Sequence, residues 1–329
     1  MHVNYYSIKG ETMAKTSKMN RQRCMDFIDR ILSPFEDRRF DDNGGFNVAA
    51  DIAHKEARRI GGIRKKSSWG YYLKSLSNAL RHYRDYVTEY KGFSIFTTGN
   101  SKLPYKNFST LPLFTCPGYG ECGEWCYSLK AWRYPAAFCR QVLNTILIQQ
   151  NPEAIRRAFM ELDWDIMLRL YVDGDFDSHK TMALWWELLN ERPDITAYGY
   201  SKSWRLLATY DESVFMNPAW GATVPMPRNY TLNMSSGSRY ENDTELRRIV
   251  ESLPFTRGIF GAVELDNEYG DNSRYQDKQY HKEVRDIGRA EYGNRVFSCP
   301  GDCGDCLPSG KPACASDRMQ GVPVLIGIH

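Results

Sequence analysis

The residues best suited to chemistry in this sequence are cysteines that gather in two short stretches. Cys116, Cys122 and Cys126 share a Gly-rich loop with the spacing C-x5-C-x3-C. Thiolates at such close spacing are typical ligands of zinc or of an iron–sulfur cluster, because soft sulfur suits both. Three ligands are fewer than a closed structural site needs. Either a fourth comes from elsewhere, or the metal keeps an open position for chemistry.

The second group of cysteines comes near the end of the sequence and comprises Cys299, Cys303, Cys306 and Cys314. Four thiolates are enough for a closed site, so we expect either a structural zinc or a second, auxiliary iron–sulfur cluster here. Cys139 stands alone, which is typical of a buried small apolar residue. It is also a candidate for the fourth ligand of the first group.

Composition and the N-terminal sequence favour a metalloprotein over a disulfide framework. The chain has 329 residues and nine cysteines, and its first residues lack the basic and then apolar segments of a secretory signal. Clustered cysteines without such a signal indicate metal or redox use. No stretch approaches the roughly 18 apolar residues of a membrane span. We therefore expect a cytoplasmic protein without membrane contact.

The central part of the sequence alternates between apolar runs and amphipathic segments. The apolar runs, which we interpret as strands, cover residues 166–172, 195–200, 230–234 and 258–263. Before this part, residues 92–99 also read as a strand, and Asn151 followed by Pro152 is expected to cap a helix. Repeated strand–loop–helix units of this length predict an α/β fold with a parallel sheet.

Small and polar residues follow each of the first three strands of this prediction. Asp173 and Asp175 follow the first strand, Ser201 the second and Ser235 the third. Because loops at the carboxyl ends of parallel strands build the site in such folds, these four are candidate ligand contacts. The alternative is that the two aspartates belong to a turn and that Asp177 or Ser178 caps the next helix.

The N-terminal region, residues 1–92, reads as helical, basic and rich in tyrosine. Between Lys55 and Lys91, basic residues outnumber acidic ones, and a helix predicted from Trp69 to Tyr90 carries several tyrosines. Cations for phosphates and rings for stacking would suit a nucleic acid. The alternative is an aromatic stripe that packs on the core beneath a solvated basic face.

The first cysteine group resembles the radical-SAM signature. In that family three cysteines hold a [4Fe–4S] cluster, and its free iron is chelated by the amino and carboxylate groups of S-adenosylmethionine. An aromatic residue commonly precedes the third cysteine, as Trp125 does here. The usual spacing in that family is C-x3-C-x2-C.

The sequence also resembles the phage "gene product 88" family over about residues 92–315. The matching motifs are Thr-Thr-Gly-Asn-Ser-Lys from residue 97, the first cysteine group with Tyr127-Ser, Leu-Tyr-Val-Asp-Gly-Asp-Phe from residue 170, Tyr-Gly-Tyr-Ser-Lys-Ser from residue 198, and the Cys-rich C-terminal stretch. This resemblance implies a phage-encoded protein in the host cytoplasm, but it supplies no activity.

Together the two resemblances imply a partial (β/α) barrel of radical-SAM type over residues 93–295. A helical N-terminal extension would precede it, and a Cys-rich metal-binding segment with a final strand, residues 296–329, would follow. The implied activity is cleavage of S-adenosylmethionine to a 5′-deoxyadenosyl radical that modifies an unknown substrate. Two alternatives stay open: a non-catalytic zinc protein that binds nucleic acid or a host protein, and a barrel that no longer cleaves its cofactor.

Overall fold

The computed structural model describes residues 19–36, 42–84, 93–99, 102–217, 221–267, 269, 277–304, 306–307 and 311–328. The helices in this part of the chain are α1 (Arg21–Glu36), α2 (Asp42–Ile60), α3 (Trp69–Tyr83), α4 (Pro135–Gln150), α5 (Pro152–Met160), α6 (His179–Glu191), α7 (Trp204–Ala208), α8 (Thr244–Glu251) and α9 (Lys278–Tyr292). The strands are β1 (Thr97–Thr98), β2 (Lys106–Asn107), β3 (Met167–Leu170), β4 (Thr196–Ser201), β5 (Met216–Asn217), β6 (Ala222–Thr223), β7 (Tyr230–Ser235), β8 (Thr256–Glu264), β9 (Phe297–Ser298) and β10 (Val324–Ile328). Within these ranges no helix combines the length and the apolar character needed to cross a membrane.

The main sheet has eight strands in the order β1-β2-β3-β4-β7-β8-β10-β9, and β5 pairs with β6 in a separate hairpin. β1 and β2 are antiparallel, whereas every other neighbouring pair in the main sheet is parallel. Strands β2, β3, β4, β7, β8 and β10 therefore lie side by side in chain order, with helices in each connection. A doubly wound sheet reverses its strand order, whereas a (β/α) barrel keeps it. The predicted α/β class with a parallel sheet is confirmed, and the radical-SAM type of barrel stays a prediction.

One face of the sheet, which we call the outer face, packs on the helices. Leu168 and Leu170 of β3, Ala197 of β4, and Leu232 and Met234 of β7 belong to the main buried core. These residues alternate along their strands, as a pleated strand requires for side chains on one face. The outer face is thus built by the apolar positions that the sequence pattern marks.

The opposite face, the inner face, packs on residues 299–319, which we call the tail segment. Tyr198 of β4 and Val324 of β10 share a second cluster with Cys314, and Tyr200 and Phe260 pack against it. Asn233 of β7 also points this way, since its Nδ2 donates to the carbonyl of Cys314 at 2.9 Å. The tail segment therefore covers the inner face of the sheet.

The N-terminal helices share the main core with the helices of the sheet. Phe138 of α4 meets Phe27 of α1 and Trp69 of α3, with ring centroids 6.0 and 5.5 Å apart. Tyr83, at the end of α3, is 2% exposed. The part of the predicted helix beyond Arg84, residues 85–90, lies outside the described residues.

Local signals place several helix starts where the sequence predicts them. Asn151 Oδ1 accepts the N–H of Ala154 at the start of α5, and Ser178 Oγ accepts the N–H of Thr181 at the start of α6. The strand expected over residues 92–99 is much shorter. Only β1 is paired, because the apolar residues before it are buried in the main core without joining the sheet.

Candidate functional site

The cysteine loop, residues 116–126, lies on the loop that follows β7. The backbone N–H groups of Gly120 and Cys122 donate to the carbonyl of Gly237 at 3.2 and 3.4 Å. Tyr119 and Ser238 form an isolated antiparallel bridge beside them. These contacts place the loop at the carboxyl edge of the sheet, where parallel α/β folds carry their sites.

Close backbone approach fixes the loop on its other side. A Cβ added to Gly118 would stand 1.7 Å from the carbonyl oxygen of Lys202, which follows β4. The carbonyl of Gly118 accepts the N–H of Arg239 at 3.0 Å. The Ser238 hydroxyl lies 3.2 Å from the Gly118 carbonyl and 3.1 Å from that of Lys202. Only glycine fits at position 118, so the cysteine loop is seated across the ends of β4 and β7.

Asp175 joins the loops that follow β3 and β4. Its Oδ2 accepts the N–H groups of Lys202 and Ser203 at 2.7 and 3.2 Å, and its Oδ1 accepts the N–H of Phe176 at 2.8 Å. Burial raises the pKa of Asp175, and the N–H donors act against that rise. Because its oxygens are engaged with backbone, its visible role is to position the two loops. The predicted contact to a cofactor stays a prediction.

Ser201 and Ser235 lie beside this connection. The Oγ of Ser201 accepts the N–H of Ser203 at 3.0 Å, and the Oγ of Ser235 accepts from the Nζ of Lys202 at 2.6 Å. Both serines are at most 9% exposed. The structure thus brings three of the predicted contacts, Asp175, Ser201 and Ser235, around one lysine, and the sequence pattern gave that lysine no role.

Asp173, the fourth predicted contact, is more accessible. Its Oδ2 accepts from Gln141 Nε2 at 2.9 Å, and its carboxylate lines a cavity of about 200 Å³ with Thr97, Asn107 and Arg140. Burial raises the pKa of Asp173, while hydrogen bonds and a nearby guanidinium lower it. Of the four, Asp173 is the residue best placed to accept a hydrogen bond from a bound molecule.

The three loop cysteines are free thiols near one another. Cys122 is buried, and Cys116 and Cys126 are partly exposed. Burial raises the pKa of Cys116 well above its usual value; the charge of Asp175 adds to the rise and that of Lys202 opposes it. Burial also raises the pKa of Cys126, which is electrostatically coupled to both other thiols. A bound cation would reverse these shifts, since metal ligands are thiolates.

The chemistry of the cysteine loop fits a metal or an iron–sulfur cluster. Backbone N–H groups of Leu129 and Ser128 lower the pKa of Cys126 by hydrogen bonding to its sulfur, as they would for a ligating thiolate. In the ranges that the structure describes, however, no three His, Cys, Asp or Glu side chains stand close enough to hold a metal ion as they are placed. Metal binding would therefore require the loop thiols to converge.

The tail segment brings its four cysteines to the inner face. Cys314, Cys299 and Cys306 belong to or pack on the cluster around Tyr198, and Cys303 acts electrostatically on that tyrosine. The N–H of Gly301 donates to Cys299 Sγ at 3.4 Å. Burial raises the pKa of Cys314 to about 11. Four soft sulfur donors, one of them already accepting a backbone N–H, suit zinc or a second cluster.

The basic, Tyr-rich helix is used largely for packing. Tyr83 lies in the core, Tyr72 meets Phe93 with ring centroids 6.1 Å apart, and Arg81 pairs with Asp51 at 2.6 Å. Exposed lysines remain on the turn before α3, at positions 65 and 66. Nucleic-acid binding through residues 55–91 stays a prediction.

Arg169 is the residue of this region that the sequence pattern missed. It lies within β3, and its guanidinium is 4.7 Å from the ring of Tyr200 on the inner face. Tyr127, directly after the cysteine loop, acts electrostatically on it. The sequence feature that could have identified Arg169 is that it is a single charged residue inside an apolar run.

The fold and the site define a class: an α/β protein with a sequentially ordered parallel sheet, a cysteine loop on its carboxyl edge and a cysteine-bearing segment on its inner face. The chain belongs to the Gene product 88 family, whose family model matches residues 75–306. That match includes the cysteine loop and three of the four cysteines of the tail segment. A comparison with curated proteins and one with solved structures find no match.

Proposed function

We propose that this protein is a phage-encoded enzyme of radical-SAM type, in which Cys116, Cys122 and Cys126 hold a [4Fe–4S] cluster with one open iron position. When bound, the cluster together with S-adenosylmethionine would supply the one-electron chemistry that yields a 5′-deoxyadenosyl radical. The substrate would be modified by hydrogen abstraction at the carboxyl edge of the sheet, in the host cytoplasm.

One observation carries the proposal: the cysteine loop is seated across the ends of β4 and β7, close to Asp173 at the end of β3. Asp173, a partly accessible carboxylate that acts electrostatically on Cys126, lines a cavity. This is where a parallel α/β fold binds a small molecule. Sequential strand order is also the order of a (β/α) barrel.

The residues around the cysteine loop would have different roles. Asp173 would accept a hydrogen bond from an amine or hydroxyl of the cofactor, since its carboxylate reaches the cavity. Asp175, Ser201 and Ser235 would hold the strand-end loops, and the Lys202 ammonium would stay near the Cys116 sulfur and offset thiolate charge.

The tail segment would hold a second metal, either a structural zinc or an auxiliary cluster. Three of its four thiols, those of Cys299, Cys306 and Cys314, belong to or pack on the cluster at the inner face, and all four are free. A closed four-thiolate site would cover the inner face and exclude water from it.

Anaerobic purification followed by metal analysis and electron paramagnetic resonance tests the proposal. We expect iron and inorganic sulfide at about four atoms each for the loop cluster. The spectrum of the reduced protein should change when S-adenosylmethionine is added, and 5′-deoxyadenosine should form. Zinc without iron would instead support the non-catalytic zinc protein, which would bind nucleic acid or a host protein. Iron whose spectrum ignores the cofactor would indicate a barrel that has lost its activity.

A further inference from the structure

Arg169 places a positive charge on the inner face of the sheet. Its neighbours in β3, Leu168 and Leu170, point to the outer face and the main core, so the arginine points the other way. There the side chains of Tyr198, Tyr200 and Cys303 are near enough to act on it electrostatically. The guanidinium therefore lies near Cys303 of the tail segment and near Tyr127, which directly follows the cysteine loop.

The guanidinium has no hydrogen-bond acceptor among the described residues. Its Nε is fully buried and has no hydrogen-bond partner. The guanidinium makes a cation–π contact with Tyr200, whose ring centroid is 4.7 Å away. The charge of Arg169 opposes the rise in the pKa of Asp173 that burial causes, but the two side chains form no ion pair. Among the described residues no ion pair offsets the charge of Arg169.

Two buried arginines, Arg257 and Arg192, show how the chain satisfies a guanidinium that is removed from water. Arg257, 1% exposed, donates to Asn233 Oδ1 and to the carbonyls of Met319, Val322 and Ile259. Arg192 pairs with Asp194 and with three backbone carbonyls. Arg169 differs from both, because it is partly exposed while its buried Nε has no partner, and a buried donor without a partner is costly.

We infer that Arg169 is the centre of an oxyanion-binding site on the inner face, which takes a carboxylate or phosphate group of a ligand. A guanidinium presents its N–H donors in a planar fork that matches both groups. Access exists, since Arg169 itself is partly exposed and Tyr127, which interacts with it electrostatically, is 56% exposed. The Tyr198 hydroxyl, which has no hydrogen-bond partner, lies on the same face as a further donor.

The inference goes beyond the proposed function and needs no metal at the cysteine loop. If the enzyme proposal also holds, the oxyanion belongs to the substrate or to the cofactor. Binding is measured without turnover, so failure of one proposal is distinguishable from failure of the other.

Thermal unfolding of the full chain, purified anaerobically in phosphate-free buffer, tests the site. The probes are inorganic phosphate and acetate, each compared with sodium chloride at equal ionic strength. At about 100 times its Kd a probe should raise the Tm by roughly 3–5 °C. A response to phosphate alone supports a phosphate-bearing ligand, and a response to acetate alone supports a carboxylate.

Two variants of Arg169 and one matched control complete the test. Arg169→Gln should lose the response to the probe and unfold, without probe, no earlier than the parent chain, because it removes a partly buried charge that has no hydrogen-bond acceptor among the described residues. Arg169→Lys keeps the charge without the fork and should weaken probe binding about tenfold. Arg257→Gln should unfold earlier than the parent, because it breaks four hydrogen bonds, but keep the response.

Two results would overturn the inference. One is that Arg169→Gln unfolds as early as Arg257→Gln while neither probe stabilises the parent chain. The other is that Arg169→Gln loses metal from the tail segment with no anion response in the parent, since Arg169 would then balance thiolate charge.

Discussion

Asp175 accepts the backbone N–H of Lys202 at 2.7 Å, across the ends of two neighbouring strands. The same carboxylate accepts from Ser203, so one side chain holds the turn that begins the loop after β4. The cysteine loop rests on this turn through the carbonyl of Lys202, next to Gly118. The seat of the candidate metal site therefore depends on a buried carboxylate.

Asp175→Ala should lower the free energy of unfolding by about 2–3 kcal/mol, because it leaves buried N–H groups without a charged acceptor. Urea unfolding of the full chain measures this. Asp163→Ala is the control, since that side chain is exposed and should change stability by less than about 0.5 kcal/mol. Equal, small effects of the two substitutions would show that the contact contributes nothing.

Gly118→Ala should displace the cysteine loop, because its Cβ would overlap the Lys202 carbonyl. We expect faster proteolysis within residues 116–126 and weaker metal retention there. Gly123→Ala is the matched control in the same loop, since its nearest neighbour is the flexible ring of Tyr119 at 3.1 Å. The close-packing argument fails if both variants resist protease equally.

Cys122→Ala should remove the loop cluster, about four iron atoms per chain, and leave the tail segment metallated. Metal analysis and the visible spectrum measure the loss of the loop cluster and the metal that remains. Cys139→Ala removes a fully buried thiol of α4 and should retain all iron. Full metal content in Cys122→Ala would refute the assignment of this ligand.

Glu56 provides a pH-dependent test of the N-terminal helices. Burial raises its pKa, but hydrogen bonds from Arg59 and Arg30 outweigh this and hold the pKa below its usual value. A lowered carboxyl pKa adds stability that is complete above the unfolded pKa, about 4.3, and is lost as pH falls through the folded value.

Glu56→Gln should therefore cost about 1.5–3 kcal/mol at pH 7, and the difference from the parent chain should shrink below about pH 4. Denaturant unfolding at several pH values measures it. Glu245→Gln is the control, because its ion pair with Arg248 is exposed and screened by water, so this substitution should change stability little at any pH. A difference that does not depend on pH would contradict the role given to the Glu56 charge.

Local signals predicted much of the fold. Apolar runs located β3, β4, β7 and β8, and Asn151 and Ser178 cap helices where the sequence places them. Helix α9 was missed, although Asp277 at its start and Gly293 after its end are ordinary boundary signals. Strands β2 and β9 have two residues each, too few for a periodic pattern. The position of β10 between β8 and β9 depends on tertiary packing, which no local pattern encodes.

The site was predicted less completely than the fold. Residue type and spacing selected the cysteines, and strand ends selected Asp173, Asp175, Ser201 and Ser235. The sequence could not show that the Asp175 carboxylate accepts the backbone N–H of Lys202, because this contact joins residues 27 positions apart. Arg169 was missed for the same reason, since its lack of a partner is a property of the assembled inner face.

The strand order also determines when the tail segment can reach its final place. β9 joins the main sheet through β10, and β10 lies between β9 and β8, while the tail segment lies between β9 and β10 in the chain. During synthesis its cysteines leave the ribosome before residues 324–328, so they cannot take their final place on the inner face until that last strand has emerged and inserted. If the four cysteines of the tail segment bind a metal in this arrangement, the site is therefore complete only after β10 has joined the sheet.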